Sequence, residues 1–284
     1  MENIFITGVS SGIGLDAMRA LIGDGYHVIG TVRKASDATQ LKDEFGDKCT
    51  ILTFDVRDIN LCMEGLDQIK PKLTSGGLRC LINNAGIAVP GPLQYLTEEE
   101  FEHQMDVNVK AVRRITNLLL PFLGVDKKYK PGTIINISSV SGLFNSPFNG
   151  AYCISKHALE SMTDIYRREL AMFGIKVSAI EPGPVKTKIW AKNKGTLDRF
   201  ADTEYGSMLK SADKMIENAE KSALDVEVIT NTIHKILASK SPKPRYLVHK
   251  KKWFFHLIAH YVPDTIVDRI IARTISAKDK FRPI

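Results

Sequence analysis

Residues 7–14 read TGVSSGIG, and this stretch decides the fold because it sets three glycines between a strand-like run and an amphipathic run. Glycine at such positions lets the backbone turn sharply and approach a pyrophosphate. The N-terminus of the following helix supplies oriented N–H groups and a favourable dipole. The alternative interpretation is a tight turn without a ligand. We predict a dinucleotide-binding loop that uses Gly8, Ser10, Ser11, Gly12, Ile13 and Gly14.

Outward from this loop, short apolar or β-branched runs alternate with longer amphipathic runs, as in repeated βαβ units. Seven runs predict strands: NIFIT, HVIGTV, TILTFD, CLIN, TIINI, KVSAIE and RYLVH. The longer runs predict helices over 12–23, 35–45, 60–73, 97–123, 152–173 and 225–239. Right-handed crossovers then give an α/β fold, a single doubly wound (Rossmann-type) parallel sheet of seven strands with helices on both faces. We expect the ligand crevice at the carboxyl ends of the strands.

Composition indicates a globular chain. Of its 284 residues, 44% are hydrophobic and 25% are charged, which is typical of folded proteins rather than disordered ones. No apolar run approaches the ~20 residues that are needed to cross a bilayer. The chain passes from Met1 into the run NIFITG without a basic region, an apolar core or a cleavage site. We therefore expect a cytoplasmic location.

The four cysteines form neither a close metal-binding pair nor a disulfide framework, so we expect reduced, mostly buried thiols. Histidines and acidic residues are scattered without ligand spacing, and we expect no metal. The net charge of +7 is concentrated in residues 240–284, which contain 11 Lys or Arg and 3 Asp. The net positive charge of the chain therefore comes from these C-terminal residues. We expect no nucleic-acid partner.

The second predicted strand ends in TVRK, which offers Arg33 and Lys34 where a protein that prefers NAD usually offers a carboxylate to the adenosine ribose. A guanidinium can form two charge-assisted hydrogen bonds with a 2′-phosphate. This pattern favours NADP over NAD. The alternative is a solvated basic pair at a strand end.

The run YCISK places Tyr152 and Lys156 four residues apart, on one face of a predicted helix. A free phenol has a pKa near ~10, which makes it a poor acid or base at neutral pH. A fixed positive charge nearby favours the phenolate and brings the group into the range that general acid–base catalysis uses. The pair predicts such catalysis, although the same spacing also occurs by chance in many helices.

Taken in order, the motifs resemble the short-chain dehydrogenase/reductase family over about residues 1–190. They are TGVSSGIG, FDVRD, NNAG at 83–86, NVKA around Asn108, NISSVSG after the fifth strand, YCISK and EPGPVKT. The run PFNGAYCISKHALES is most similar to the branch that contains hydroxysteroid and retinol dehydrogenases.

The resemblance implies a catalytic set. Tyr152 donates a proton to the substrate oxygen during reduction and removes it during oxidation, while Lys156 lowers the pKa of the tyrosine and bonds the nicotinamide ribose. Ser139, thirteen residues before the tyrosine, holds the carbonyl oxygen and stabilises the charge that develops there. Spacing ranks the competing hydroxyls of Ser138 and Ser141 lower.

A fourth catalytic residue is Asn108, which the resemblance has interrupting its helix locally to hold a water that relays protons through Lys156. Without the family, the interpretation of Asn108 is an ordinary buried asparagine with satisfied hydrogen bonds.

The resemblance also implies further cofactor contacts. Asp55 and Val56 bracket the adenine, and Asn84 lies by the adenosine half. Asn83 is structural and ties neighbouring strands together. The residues expected to line the nicotinamide pocket are Pro182, Gly183, Val185 and Thr187.

Two regions lie outside the regular alternation. Residues 184–224 are polar and lysine-rich, and long insertions at a strand's carboxyl end are often substrate lids. The alternative is a solvated helical excursion. We divide the chain into a catalytic domain, 1–248, which includes this lid, and a basic amphipathic C-terminal extension, 249–284. The extension is predicted to cover the substrate pocket, to form a subunit interface or to contact a membrane peripherally.

These observations predict an NADP-dependent oxidoreductase acting on an apolar ketone, aldehyde or alcohol, with NAD as the less favoured cofactor. One alternative is a catalytically silent NADP-binding sensor of the same fold. Another is an epimerase or dehydratase, although these usually carry a larger C-terminal domain. The resemblance further implies a homodimer or homotetramer that pairs through the helices at about 97–123 and 152–173.

Overall fold

The computed structural model describes residues 1–187, 195–209, 217 and 220–275. Its strands are β1 (Asn3–Ile6), β2 (His27–Val32), β3 (Cys49–Thr53), β4 (Cys80–Asn83), β5 (Thr133–Ile137), β6 (Lys176–Pro182) and β7 (Arg245–Val248). They pair in parallel to form one sheet in the order β3-β2-β1-β4-β5-β6-β7. The predicted seven-stranded parallel sheet is confirmed: five predicted runs contain a whole strand, while β3 begins one residue before its run and β6 ends one residue after its run.

Helices surround the sheet. They are α1 (Gly12–Gly23), α2 (Ala35–Phe45), α3 (Ile59–Gly76), α4 (Glu98–Met105), α5 (Ala111–Leu119), α6 (Gly150–Glu169), α7 (Glu227–Ala238), α8 (Lys252–Tyr261) and α9 (Asp264–Ile275). The first two have the bounds that periodicity predicts. Helix α3 begins one residue earlier than predicted, because the Asp58 side chain accepts hydrogen bonds from the N–H groups of Asn60 and Leu61.

The core lies on both faces of the sheet, because every central strand is buried on both sides. In β1, Ile4 and Ile6 point to one face and Phe5 points to the other, as the pleat requires. The first face is covered by α1 and α7, and the second by α3 and α5. Near-continuous apolar strands of this kind are what a parallel sheet covered by helices needs.

The helix predicted over 97–123 is not continuous, although its N-terminus is as expected. Thr97 and Glu100 form a complete capping box at the start of α4. A π-helical turn, Asp106–Lys110, then separates α4 from α5. A π-helical turn, with i→i+5 hydrogen bonds, inserts a residue into the hydrogen-bond ladder and redirects the side chains that it carries. Apolar periodicity alone does not show such an insertion.

The C-terminal extension begins at the carboxyl edge of the sheet. Strand β7 pairs with β6, and the chain continues directly from it through His249 into α8. Within the described ranges, no helix combines the length and the apolar character needed to cross a bilayer. The boundary drawn at residue 249 between domain and extension stays a proposal.

Candidate active site

The glycine-rich loop connects the end of β1 to the start of α1. Gly8 and Gly12 have φ of +72° and +59°, a region that favours glycine. A Cβ atom built on Gly14 would lie 2.3 Å from the Gly8 carbonyl oxygen, so the loop is too tight there for any side chain. Ser11 precedes α1, makes no capping hydrogen bond with its side chain, and the first turn has no acidic residue. This geometry fits a bound pyrophosphate.

Two polar side chains fasten the loop to the neighbouring strand β4. The Asn84 amide nitrogen donates to the carbonyl oxygens of Thr7 and Gly8, at 2.9 Å each. The Thr7 hydroxyl accepts from the N–H groups of Asn84 and Ala85, also at 2.9 Å. Asn84 therefore shapes the loop directly, and its contact with the adenosine half stays a prediction.

Asn83, on the same strand, faces the protein interior. Its amide nitrogen donates to the Asn136 side-chain oxygen at 2.8 Å and to the Thr116 hydroxyl at 3.1 Å. It therefore links β4 to β5 and α5, in the structural role that the sequence predicts.

Tyr152 and Lys156 project from the first turns of α6. The Lys156 Nζ lies 5.5 Å from the centroid of the Tyr152 ring and donates to the Ile137 carbonyl oxygen at 2.8 Å. Ile137 ends β5, so this hydrogen bond links α6 to the carboxyl edge of the sheet. Lys156 is buried and Tyr152 is partly buried.

Ser139 is the hydroxyl that the structure brings to Tyr152. Its Oγ accepts from the N–H of Ser141 at 3.1 Å and lies 3.5 Å from the Pro182 carbonyl oxygen. The two competitors lie elsewhere: the Ser138 hydroxyl is buried without a hydrogen-bond partner, and the Ser141 side chain bonds Cys153. The geometry therefore favours Ser139, as the spacing does.

Asn108 lies in the π-helical turn and contacts the same centre. Its side-chain oxygen accepts from the Ile87 N–H at 3.0 Å, and its nitrogen donates to the Ile87 carbonyl and the Ser155 hydroxyl at 3.0 Å each. A Cβ atom at Gly86 would lie 3.4 Å from the Asn108 oxygen and 3.9 Å from the Lys156 Nζ. The turn thus brings Asn108 beside Gly86, between strand β4 and the catalytic helix.

Burial dominates the electrostatics of the tyrosine and the lysine. It raises the pKa of Tyr152 to about 12, and the hydrogen bond with Ser139 acts in the opposite direction. It lowers the pKa of Lys156 to about 8, against the attraction of the Glu160 carboxylate. Lys156 is therefore still charged for the most part at neutral pH. The lowering of the tyrosine's pKa by this charge stays a prediction, because desolvation of the phenol is the larger effect here.

Of the residues predicted to line the nicotinamide pocket, Pro182 ends β6 and the others follow it. A Cβ atom at Gly12 would lie 3.2 Å from the Thr187 side chain, so this segment closes against the glycine-rich loop. A Cβ atom at Gly183 would lie only 2.0 Å from the His249 ring. His249 in turn packs against Phe255 of α8, with ring centroids 4.3 Å apart. Val185 is buried and pairs with Leu224.

A contact that sequence reasoning missed joins the extension to the active-site rim. Phe255 lies 6.4 Å, between ring centroids, from Phe144, which follows the Ser139 turn. This contact agrees with the alternative in which the extension covers the substrate pocket, and that role stays a prediction. The aromatic run WFF was the available signal, but it does not indicate which ring points inward.

The expected adenosine end also contains an arginine that sequence reasoning missed. Arg57 donates to the Asp55 carboxylate at 2.9 Å and 3.1 Å, and this hydrogen bonding holds the pKa of Asp55 below its usual range. Arg33 is exposed and close enough to act on the same carboxylate. Val56, which lies between Asp55 and Arg57 in the sequence, is buried. The signal for Arg57 lay inside the motif FDVRD.

Of the predicted lid, 184–224, residues 188–194, 210–216, 218 and 219 lie outside the described residues. Leu197, Phe200 and Leu209 form a small apolar cluster. The Glu204 carboxylate accepts from the Tyr95 hydroxyl at 2.6 Å. The segment that leads into α6 contributes Phe148, which has a strained φ of +62°.

No group of three or more metal-binding side chains occurs in the part of the chain that the structure describes. The four cysteines are buried thiols without a disulfide.

Comparison with known proteins defines the class. The family described as short chain dehydrogenase matches residues 2–197. The chain belongs to this family of oxidoreductases, and the family and enzyme class predicted from the sequence are confirmed.

Individual relatives extend the match to nearly the whole chain. An NADPH-dependent 3-dehydrocapnine reductase of Ornithobacterium rhinotracheale is 37% identical, over 97% of this chain and 98% of its own. Human retinol dehydrogenase 16 is 32% identical, over 94% and 87%. A short-chain dehydrogenase structure from Streptomyces avermitilis has a TM-score of 0.76 at 23% identity and covers 98% of both chains. The structural match supports the fold.

Proposed function

We propose that this protein transfers a hydride between NADP(H) and an apolar ketone, aldehyde or alcohol, with a catalytic set of Tyr152, Lys156, Ser139 and Asn108. The observation that carries the proposal is their convergence. Four side chains from three separate segments meet beside the glycine-rich loop, at the carboxyl edge where a doubly wound sheet binds its ligand.

Each member has a defined task. The nicotinamide supplies or accepts the hydride when bound. The hydroxyls of Ser139 and Tyr152 hold the substrate oxygen, and Tyr152 gives it a proton in reduction or takes one in oxidation. Lys156 favours the phenolate and holds the nicotinamide ribose. Asn108, fixed to the Ile87 backbone, holds the relay water near Lys156.

The cofactor is NADP(H), as the sequence predicts. The Ornithobacterium relative is named as NADPH-dependent. Two arginines, Arg33 and Arg57, lie near the Asp55 carboxylate, which Arg57 bonds, at the end of the crevice where we expect the 2′-phosphate. Position 33, directly after β2, holds an arginine where a carboxylate would favour NAD.

NADPH is expected to bind more tightly than NADH, and Arg33→Ala is expected to narrow the difference. A charge-assisted hydrogen bond to phosphate is worth ~1.5–3 kcal/mol, or about one to two decades in affinity. Titration by fluorescence quenching gives the dissociation constant of each cofactor.

The matched control is Arg19→Ala, which removes the same charge from a guanidinium that bonds Glu44 at 2.8 Å on the outer side of α1. It should leave the preference for NADPH intact. Equal dissociation constants for NADPH and NADH in the unmodified protein would contradict the assignment of Arg33.

The function is tested by a turnover screen with NADPH and NADP⁺ across ketones, retinoids, steroids and acyl substrates. We expect NADPH oxidation with at least one apolar carbonyl compound. Tight NADPH binding without turnover on any class would leave a catalytically silent sensor and refute the proposed reaction.

The segment 195–209 is proposed to act as part of a lid. The support comes from its contacts: Phe200 and Tyr205 pack on the rings of Tyr95 and Phe148 at the rim of the cleft. The ion pair of Arg199 with Glu100 holds the same segment to α4. An apolar cover of this kind suits an apolar substrate.

We further propose that the extension contacts the surface of an anionic bilayer. While Phe255 points inward, Trp253 and Tyr261 are 78% and 72% exposed. Phe254 and Leu257 are also exposed, which gives α8 an unusually apolar outer face. Lys250 and Lys251 precede α8, Lys252 is its first residue, and its first turn has no acidic residue. Aromatic rings at a water boundary beside cations are typical of interfacial helices.

Co-sedimentation with liposomes that contain phosphatidylserine tests this surface. The protein is expected to pellet at low salt, and binding should fall at high salt and in the variant Lys250/Lys251/Lys252→Gln. Each lysine near such a surface contributes about 1 kcal/mol, so the triple change should weaken binding by about two decades.

The matched control is Lys127/Lys128/Lys130→Gln, which removes three exposed lysines from the loop before β5, at the opposite edge of the sheet. It should bind like the unmodified protein. A protein that stays in the supernatant throughout would leave α8 as a lid or subunit interface. The homo-oligomer and the cytoplasmic location stay predictions.

A further inference from the structure

A buried charge cluster lies directly behind the catalytic lysine. Arg245, the first residue of β7, donates from Nε to the Glu160 carboxylate at 2.9 Å and lies 3.4 Å from the Glu181 carboxylate. Its Nη2 pairs with Asp164 at 3.1 Å. Glu160 and Glu181 are buried, and each has a carboxylate oxygen without a hydrogen-bond partner.

The two buried glutamates of the cluster share one arginine. One arginine, Arg245, contacts Glu160, Glu181 and Asp164, and the nearby Arg167 and Arg168 contact only Asp164 among them. Two buried carboxylates around one arginine repel each other, and a proton shared between them relieves this repulsion.

Both glutamates adjoin catalytic groups. Glu160 lies one helical turn after Lys156, and its side chain packs under Gly142, in the turn that begins with Ser139. Glu181 immediately precedes Pro182, whose carbonyl oxygen faces the Ser139 hydroxyl at 3.5 Å. The cluster therefore supports both halves of the catalytic set.

We infer that Glu160 and Glu181 are positioning residues: Glu181 holds the shared proton, and the charged Glu160 keeps Lys156 in its ammonium form. This inference rests on the proposed function, because it assigns to Lys156 the roles proposed above. Distances support the assignment, since Arg245 is closer to Glu160 than to Glu181.

Two effects on pKa values, at Glu181 and at Lys156, have the directions that this inference requires. Burial and the Glu160 charge raise the pKa of Glu181 to about 8, despite Arg245. The same Glu160 charge raises the pKa of Lys156, against the larger effect of burial. The charged and titratable groups that face Glu160 are Lys156 and Asp164 on α6, Glu181 on β6 and Arg245 on β7.

The test is Glu160→Gln, which keeps the shape of the side chain and removes its charge. Lys156 should then lose its proton at lower pH, so the pH at which NADPH affinity weakens should fall by about 0.5–1 unit. The pH midpoint of alcohol oxidation should rise by a similar amount, because a weaker ammonium favours the Tyr152 phenolate less. The affinity measurement needs no turnover, so it reports on this inference even if the screen finds no substrate.

Three variants make the result specific. Glu181→Gln resembles the protonated carboxyl, so both midpoints should stay within about 0.2 unit of the unmodified protein. Asp164→Asn removes the outer partner of Arg245, two turns from Lys156, and should also leave the midpoints in place. Glu160→Asp keeps the charge, so both pH midpoints should lie at the values of the unmodified protein. Unshifted midpoints in folded Glu160→Gln protein, or equal shifts in Glu160→Gln and Glu181→Gln, would overturn the inference.

Discussion

Tyr152→Phe is expected to lower turnover by about 10²–10⁴-fold, the usual contribution of general acid–base catalysis, while NADPH affinity stays nearly unchanged. The substitution removes one hydroxyl from a residue at the start of α6 and keeps the ring that packs there. The change removes the hydrogen bond between the phenol and Ser139, and little packing is lost. Steady-state rates and cofactor titration separate the two effects.

Tyr166→Phe is the matched control. It makes the same change on the same helix, where the hydroxyl donates to the Asn117 side chain at 2.7 Å, outside the cleft. Turnover should be unaffected by it. A loss smaller than about tenfold in Tyr152→Phe would show that another group transfers the proton.

Lys156→Met is expected to damage turnover and NADPH affinity together, since the lysine has two tasks. Loss of the ammonium removes the charge that favours the phenolate, and we expect turnover to fall by about 10²-fold or more. Loss of a charge-assisted hydrogen bond to the ribose, worth ~1.5 kcal/mol, should weaken NADPH by about tenfold. Single-turnover rates and fluorescence quenching give the two values.

Lys176→Met controls for the loss of a lysine that bonds a carbonyl. Its Nζ lies 3.4 Å from the Ser239 carbonyl oxygen at the amino edge of the sheet, opposite the cleft. Neither turnover nor affinity should change. If Lys156→Met bound NADPH as tightly as the unmodified protein, the ribose contact would be refuted.

Much of this architecture is predictable because it is encoded locally. Strand runs, helix periodicity and the capping box of Thr97 and Glu100 each depend on residues a few positions apart. The glycines of the cofactor loop are recognisable for the same reason, since Gly14 is required by a clash within its own turn.

The features that sequence did not reveal depend on distant contacts or on burial. The π-helical turn at Asn108 followed from family resemblance and not from periodicity. The packing of Phe255 on Phe144 joins segments far apart in the chain. The spacing of Tyr152 and Lys156 gives their separation but not the desolvation of the phenol, which raises its pKa in this structure.

Each side chain of the proposed catalytic set except the tyrosine contacts backbone of another segment: Lys156 that of Ile137, Asn108 that of Ile87, and Ser139 that of Pro182. The rotamer freedom of these side chains is therefore lost when the chain folds, not when the ligand binds. The entropy that these side chains lose thus lowers the free energy of unfolding. Ligand binding and catalysis do not have to order them again. At these positions we therefore expect more substitutions that raise the free energy of unfolding than substitutions that preserve turnover.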